Sequence, residues 1–307
     1  MNLDTTSTAE AVAAATLAAG LIWASITDLK EREAPDVIWQ VLAVAGTVIG
    51  LVVAFGVSTV AVLLWVLISA LVLEHLFNWD ERLESGTRIP AWAVEVAAYV
   101  GVGLVLVYAI ASPQAGLPAS VWAPAVAVYV TVLFARGLFE ARVLYGGADA
   151  KALMTGGLLL PFWTTPILPV AAAATAVLAY LPFAFSMLLN AALLALAIPV
   201  AIAIRNLAHH EFEFPRGFVS YKLPVEELPN RFVWLRDPTF SSDPEVEDVE
   251  TAEEDHQLRS RQRDELQAQG VRRVWVTPQV PFIVVLAVGA GATLLAGNLI
   301  IDLFTWI

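Results

Sequence analysis

The chain contains a series of nearly uncharged apolar stretches, each close to the length of about 20 residues that a helix needs to cross a bilayer. They lie at roughly 9–27, 37–56, 58–78, 91–111, 119–139, 149–164, 183–205 and 279–303. The sequence therefore predicts an all-α polytopic membrane protein with about eight transmembrane helices. The sixth stretch is short, and Pro161, Pro166 and Pro169 follow it. Another apolar run, 167–181, reads either as an outer re-entrant segment or as a ninth span. A mean hydropathy of +0.71, with 58% hydrophobic residues, is too apolar for an ordinary soluble domain.

Lys and Arg positions set the expected orientation. With the N-terminus outside, Lys30, Arg32, Arg82, Arg88, Arg136, Arg142, Lys151 and Arg205 fall inside, as do the nine basic residues between 206 and 277. The outer loops near 57 and 112–118 hold none. A ninth span would place the basic residues of the insert outside, so parity favours eight. The first apolar run is preceded by Asp4 and Glu10 and followed by positive charge, which reads as a retained helix, not a cleaved leader.

Three segments are expected: a membrane domain over 1–205 with seven spans, a cytoplasmic acidic insert over 206–277 and a final span within 278–307. In the insert, Phe212, Phe214, Phe218, Val219 and Tyr221 suggest short strands, punctuated by Pro215, Pro224 and Pro229. Nine acids and no base lie between Asp237 and Asp255, the pattern of a solvated loop. Residues 256–269 read as an exposed helix stopped by Gly270.

Composition also excludes chemistries. A net charge of −12 lacks the basic footprint of a nucleic-acid binder. With no cysteine there is no disulfide, thiol nucleophile or cysteine-ligated zinc. No nucleotide-binding glycine fingerprint occurs. His209 and His210 stand without a further histidine cluster, so no metal is expected, and no cofactor is implied.

Two carboxylates stand out. Asp28 ends the first span, and Asp149 opens the sixth within Tyr145-Gly-Gly-Ala-Asp-Ala-Lys151. The topology places both at one membrane face. Two carboxylates brought close share one proton; the ionised member can accept a proton from water while the protonated one polarises a carbonyl. Gly146 and Gly147 would allow a tight turn with unusual backbone angles before Asp149. The residues alone leave open whether the aspartates are a dyad or two helix-end caps.

Gly146-Gly-Ala-Asp-Ala-Lys151 resembles the Gly-x-Gly-Asp signature of intramembrane aspartic proteases, in the Gly-Gly-Ala-Asp form of archaeal preflagellin and prepilin peptidases. Ala148 stands where the second glycine of the signature would be. Asp28-Leu-Lys-Glu-Arg-Glu-Ala-Pro-Asp36 is similar to the first-aspartate segment of that family. Further similarity lies in 183–190, 217–224 and 275–282, and the stretch from about 57 to 112 looks like an added helix pair that preserves the parity of the aspartates.

The resemblance implies cleavage of the short basic class III signal peptide of archaellin or type IV pilin-like precursors at the cytoplasmic face, with Asp28 and Asp149 as the catalytic pair. Methylation and zinc, found with the cysteine-rich loop of many bacterial relatives, are not expected. The implied partners are precursor proteins and membrane lipid. Acids that could contact a basic leader are Glu31, Glu33, Asp36, Asp80, Glu81 and Glu84, although solvated loop charge is the blander account of each. Lys151 is a candidate tuner of Asp149 or a snorkelling anchor. Glu74, His75 and Glu95 read as rim residues that snorkel, and Asn190 as an interhelical hydrogen-bonding group. Competing readings are a presenilin-like or signal-peptide-peptidase-like protease and a small-solute transporter. The first usually has Tyr-Asp where Thr27 precedes Asp28, and the second places its carboxylates near the midplane.

Overall fold

A computed structural model describes residues 3–77, 91–111, 118–144, 146–168, 177–236 and 252–306. The helices are α1 (Leu3–Glu31), α2 (Asp36–Phe55), α3 (Thr59–Phe77), α4 (Ala91–Ala111), α5 (Ala119–Glu140), α6 (Gly147–Leu159), α7 (Phe183–Ala195), α8 (Ala197–Ala208), α9 (Ala252–Ala268), α10 (Phe282–Ala296) and α11 (Leu299–Trp306). The strands are β1 (Tyr221–Pro224), β2 (Val233–Leu235) and β3 (Arg273–Pro278). Among the described residues six stretches are long and apolar enough to cross a membrane: Ser7–Glu31, Asp36–Phe55, Thr59–Phe77, Trp92–Ala111, Ala119–Glu140 and Phe183–Ala208, the last formed by α7 and α8. The chain is an all-α polytopic membrane protein with a small sheet.

The other two expected spans take different forms. α6 has 13 residues, about 20 Å of helix at 1.5 Å per residue. The stretch 279–303 divides into α10 and α11 at Gly297, whose φ is 72°. Asn298 starts α11 by accepting from the N–H groups of Ile300 and Ile301, both at 3.1 Å. The core of the ambiguous 167–181 run, residues 169–176, lies outside the described residues, as do Asp80, Glu81, Arg82, Glu84 and Arg88 and most of the acidic stretch.

The chain forms two compact units. The first comprises Met1–Ile26, Ala34–Ala192 and Phe282–Ile307. Within it α6 is packed by α2, α3, α5 and α10, and every residue from Ala152 to Leu159 is buried. Enclosure by protein explains how a helix with glycines and a threonine in its middle fits among apolar spans. Asn190 joins α7 to the α10–α11 break: its amide donates to Thr293 Oγ1 at 2.9 Å and to the Gly297 carbonyl at 2.7 Å, and its oxygen accepts from Leu299 N–H at 2.9 Å. The interhelical role expected of it is the one it performs.

The second unit comprises Thr27–Glu33 and Leu193–Pro281. Its antiparallel sheet has the order β1-β3-β2, with Leu223 opposite Val274 and Leu235 opposite Val276. Leu223, Val225, Leu228, Val233, Leu266, Val274 and Val276 form its core. Burying those side chains supplies most of the driving force for so small a module.

Two expectations about this unit need correction. Phe212, Phe214, Phe218 and Val219 form no strand; a 3-10 turn runs Arg216–Phe218, and strand structure begins only at Tyr221. The Asn206 amide donates to the carbonyls of Gly217 at 2.8 Å and Ser220 at 2.7 Å, occupying acceptors that a neighbouring strand would use. The helix over 256–269, α9, is not exposed all round: Leu266 enters the core, and Arg259 is only 3% exposed. Gly270 does stop it, with φ +75°; its N–H donates to Gln267 O at 2.9 Å and that of Val271 to Leu266 O at 3.0 Å.

Candidate functional site

Asp149 is the third residue of α6, where the N–H end of the helix dipole favours a negative charge. It is 8% exposed, and its own N–H donates to the Gly146 carbonyl at 3.1 Å. Gly146 is extended, with φ −91° and ψ 126°, and neither it nor Gly147 has a positive φ. The expected unusual backbone angles are therefore absent, and proximity is the reason for the glycine. A Cβ on Gly146 would lie 2.8 Å from Asp149 Oδ2, whereas one on Gly147 would meet nothing nearer than Phe139 at 4.0 Å. The carboxylate folds back over Gly146, and a side chain there would displace it.

Asp28 lies one turn from the end of α1 and is half-buried. Its carbonyl accepts from Arg32 N–H at 3.1 Å. Arg32 then leaves the helix with φ 60°. Asp28 belongs to the second compact unit and Asp149 to the first. Glu31 and Glu33 are exposed, as charges available to a partner must be.

Lys151 and Asp36 come together: Nζ lies 2.6 Å from Asp36 Oδ1. The pair links the start of α6 to the start of α2, so the lysine's nearest acid is Asp36. Of the residues expected to snorkel, Glu74 lies 3.5 Å from His75 on its own helix, whereas His75 and Glu95 take part in contacts between helices. His75 Nε2 bonds the Tyr99 hydroxyl, Tyr129 donates to the Tyr99 carbonyl at 2.9 Å, and Arg136 lies 3.5 Å from Glu95 and 2.9 Å from Glu140. Pairing between helices satisfies such groups without reaching water. His209 and His210 lie exposed at the end of α8. Among the described residues no three His, Asp or Glu side chains gather as metal ligands would.

In the sequence Arg32 stands as a topological marker alone. In the structure its guanidinium lies 3.9 Å from the centre of the Phe232 ring and donates to the Gln279 carbonyl at 3.0 Å. No local pattern near Arg32 points to residues 200 or more positions away, so only the folded chain reveals the contact.

A nearly buried carboxylate at a helix N-terminus can exchange a proton with a bound group while water is largely excluded. No protein-family model matches the chain. Over 179 residues the chain is 26% identical to a preflagellin peptidase of Methanocaldococcus jannaschii, a similarity that covers 56% of this chain and 71% of that protein.

Proposed function

We propose that the chain is a membrane-embedded aspartic endopeptidase that removes the short basic leader of archaellin or type IV pilin-like precursors at the cytoplasmic face. Asp28 and Asp149 are its catalytic pair. Similarity to a preflagellin peptidase supports the reaction class. The observation that carries the site is Asp149 itself, an enclosed carboxylate on the first turn of α6 with the space before it kept clear by Gly146.

In this reading the two carboxylates share one proton and titrate as a pair. The ionised member removes a proton from water, and the resulting hydroxide attacks the scissile carbonyl. The protonated member gives its proton to the carbonyl oxygen, forming a neutral gem-diol. Collapse of that intermediate returns a proton to the leaving nitrogen, breaks the C–N bond and restores the shared proton. The acids Glu31 and Glu33 attract the basic leader, mainly by speeding encounter. Asp36 is held by Lys151 and contributes less. The membrane domain over 1–205 carries both aspartates of the dyad, and the insert over 206–277 lies on the cytoplasmic side with the active site.

The test is cleavage of a pilin-like precursor in membranes by the intact chain and by Asp28→Asn and Asp149→Asn variants. Each single substitution is expected to abolish processing while leaving the protein in the membrane. Full cleavage by either variant would refute the dyad. A flux defect for a small solute, with no cleavage by the unsubstituted chain, would favour transport.

A further inference from the structure

α1 ends at Glu31, three residues after Asp28, and the next residue, Arg32, has a left-handed backbone that a residue with a long side chain holds only where its surroundings impose it. The surroundings are specific. The guanidinium of Arg32 stacks 3.9 Å from the centre of the Phe232 ring and donates to Gln279 O at 3.0 Å. Arg259 of α9 approaches the same ring at 5.3 Å, and one of its nitrogens is 3.5 Å from Gln279 Oε1.

Phe232 immediately precedes β2, and Gln279 immediately follows β3. The two are tied by a backbone bond, Gln279 N–H to Phe232 O at 3.0 Å. That bond extends the β2–β3 ladder by one step beyond Val233 and Pro278. Ring and carbonyl therefore form one platform at the edge of the sheet core, backed by a buried arginine. A guanidinium suits this platform because it can stack by its face and donate in its plane at once. A lysine can do only one of the two.

We propose that Arg32 is a positioning residue, through which the sheet module grips the end of α1 and fixes the Asp28 carboxylate for catalysis. The proposal rests on the reading of Asp28 as catalytic, and it gives the insert a direct part in the reaction. The insert sets one of the two carboxylates through a contact made 200 residues further along the chain. Loss of the grip leaves the substrate-binding acids Glu31 and Glu33 in the chain but lets the helix end move, so it lowers turnover and not affinity.

The chain has no cysteine, so Leu29→Cys, at an exposed position beside Asp28, gives a unique site for a nitroxide label. In lipid discs the label's mobility is expected to rise when Arg32→Lys or Phe232→Leu is added, and to return to the starting value with Phe232→Tyr, which keeps an aromatic face. In parallel, Arg32→Lys and Phe232→Leu are expected to lower kcat for precursor cleavage by about tenfold or more, the scale of a small misplacement of a reacting group. KM is expected to stay within about twofold, and Phe232→Tyr to restore kcat. Unchanged mobility together with unchanged kcat in both variants would overturn the proposal. So would a raised KM at constant kcat, which would make Arg32 a contact for the leader. If the unsubstituted chain cleaves no precursor, the peptidase reading falls, while label mobility still decides whether Arg32 grips the helix end.

Discussion

Lys151 reaches across to Asp36 with its Nζ 2.6 Å from Oδ1, fastening the first turn of α6, where Asp149 sits, to the first turn of α2. Asp36 is half exposed, so water competes for the pair and its contribution to stability is small. A double-mutant cycle with Asp36→Asn and Lys151→Met, read by thermal unfolding in detergent, is expected to give a coupling of about 0.5 kcal/mol and no more than about 1 kcal/mol. Exchange of the two charges, Asp36→Lys with Lys151→Asp, is expected to recover most of it. A coupling near zero would make the contact incidental.

The two glycines before Asp149 are predicted to differ sharply. Gly146→Ala sets a methyl group against Oδ2 and forces the carboxylate to turn, whereas Gly147→Ala meets only the Phe139 ring at an ordinary contact distance of 4.0 Å. Cleavage by Gly146→Ala is expected to fall by about tenfold or more, with little change in thermal midpoint. Gly147→Ala is expected to stay near the activity of the unsubstituted chain. Initial rates on one precursor compare them directly, and equal rates would remove the steric role given to Gly146.

Helix α10 offers a matching contrast in packing. A Cβ on Gly289 would lie 2.5 Å from the Met187 carbonyl oxygen and 2.7 Å from both Ala191 N and Ala191 Cβ, backbone atoms and a methyl fixed to backbone that cannot swing aside. Gly291→Ala would meet nothing. Gly289→Ala is expected to destabilise by about 1–3 kcal/mol through overpacking. Gly291→Ala is expected to be neutral or slightly stabilising, as alanine is in a helix. Unfolding in mixed micelles with added denaturing detergent measures both.

Asn190 makes three hydrogen bonds at a fully buried position. Asn190→Leu keeps the bulk but strands the Leu299 N–H and the Gly297 carbonyl, so it is expected to cost about 2 kcal/mol. The loss falls on the junction of α10 and α11, and backbone hydrogen exchange at Leu299 is expected to quicken. An unchanged exchange rate would show that the break is held by Asn298 alone.

Local patterns made much of the fold legible. The expected stretches 37–56, 58–78, 91–111 and 119–139 fall within a residue or two of α2 to α5, because uncharged length is a signal that needs no tertiary context. α6 was less readable. Its end at Leu159 depends on a ring of neighbouring helices that substitutes for lipid, and no run of residues records that ring. The glycine before Asp149 is visible in the sequence, but the reason for it is not the backbone angle expected there: it is an oxygen atom folded back on the chain. The partnership of Lys151 with Asp36, and that of Arg32 with Phe232, join positions 115 and 200 residues apart. Neither has a periodicity to find, since each depends on two surfaces meeting.

The order β1-β3-β2 also carries a consequence for biosynthesis. Among the described residues β3 is the last strand to be made yet the middle one, and β1 and β2 pair only with it. Until the ribosome has passed Pro278 there is no sheet for the earlier strands to join, and four residues later α10 begins. The module is thus completed as the final helical segments are being delivered, and a stalled chain ending before Arg273 holds every residue of α1 to α9 but no assembled sheet. An incomplete product is marked by its own topology, before any quality-control factor needs to read it.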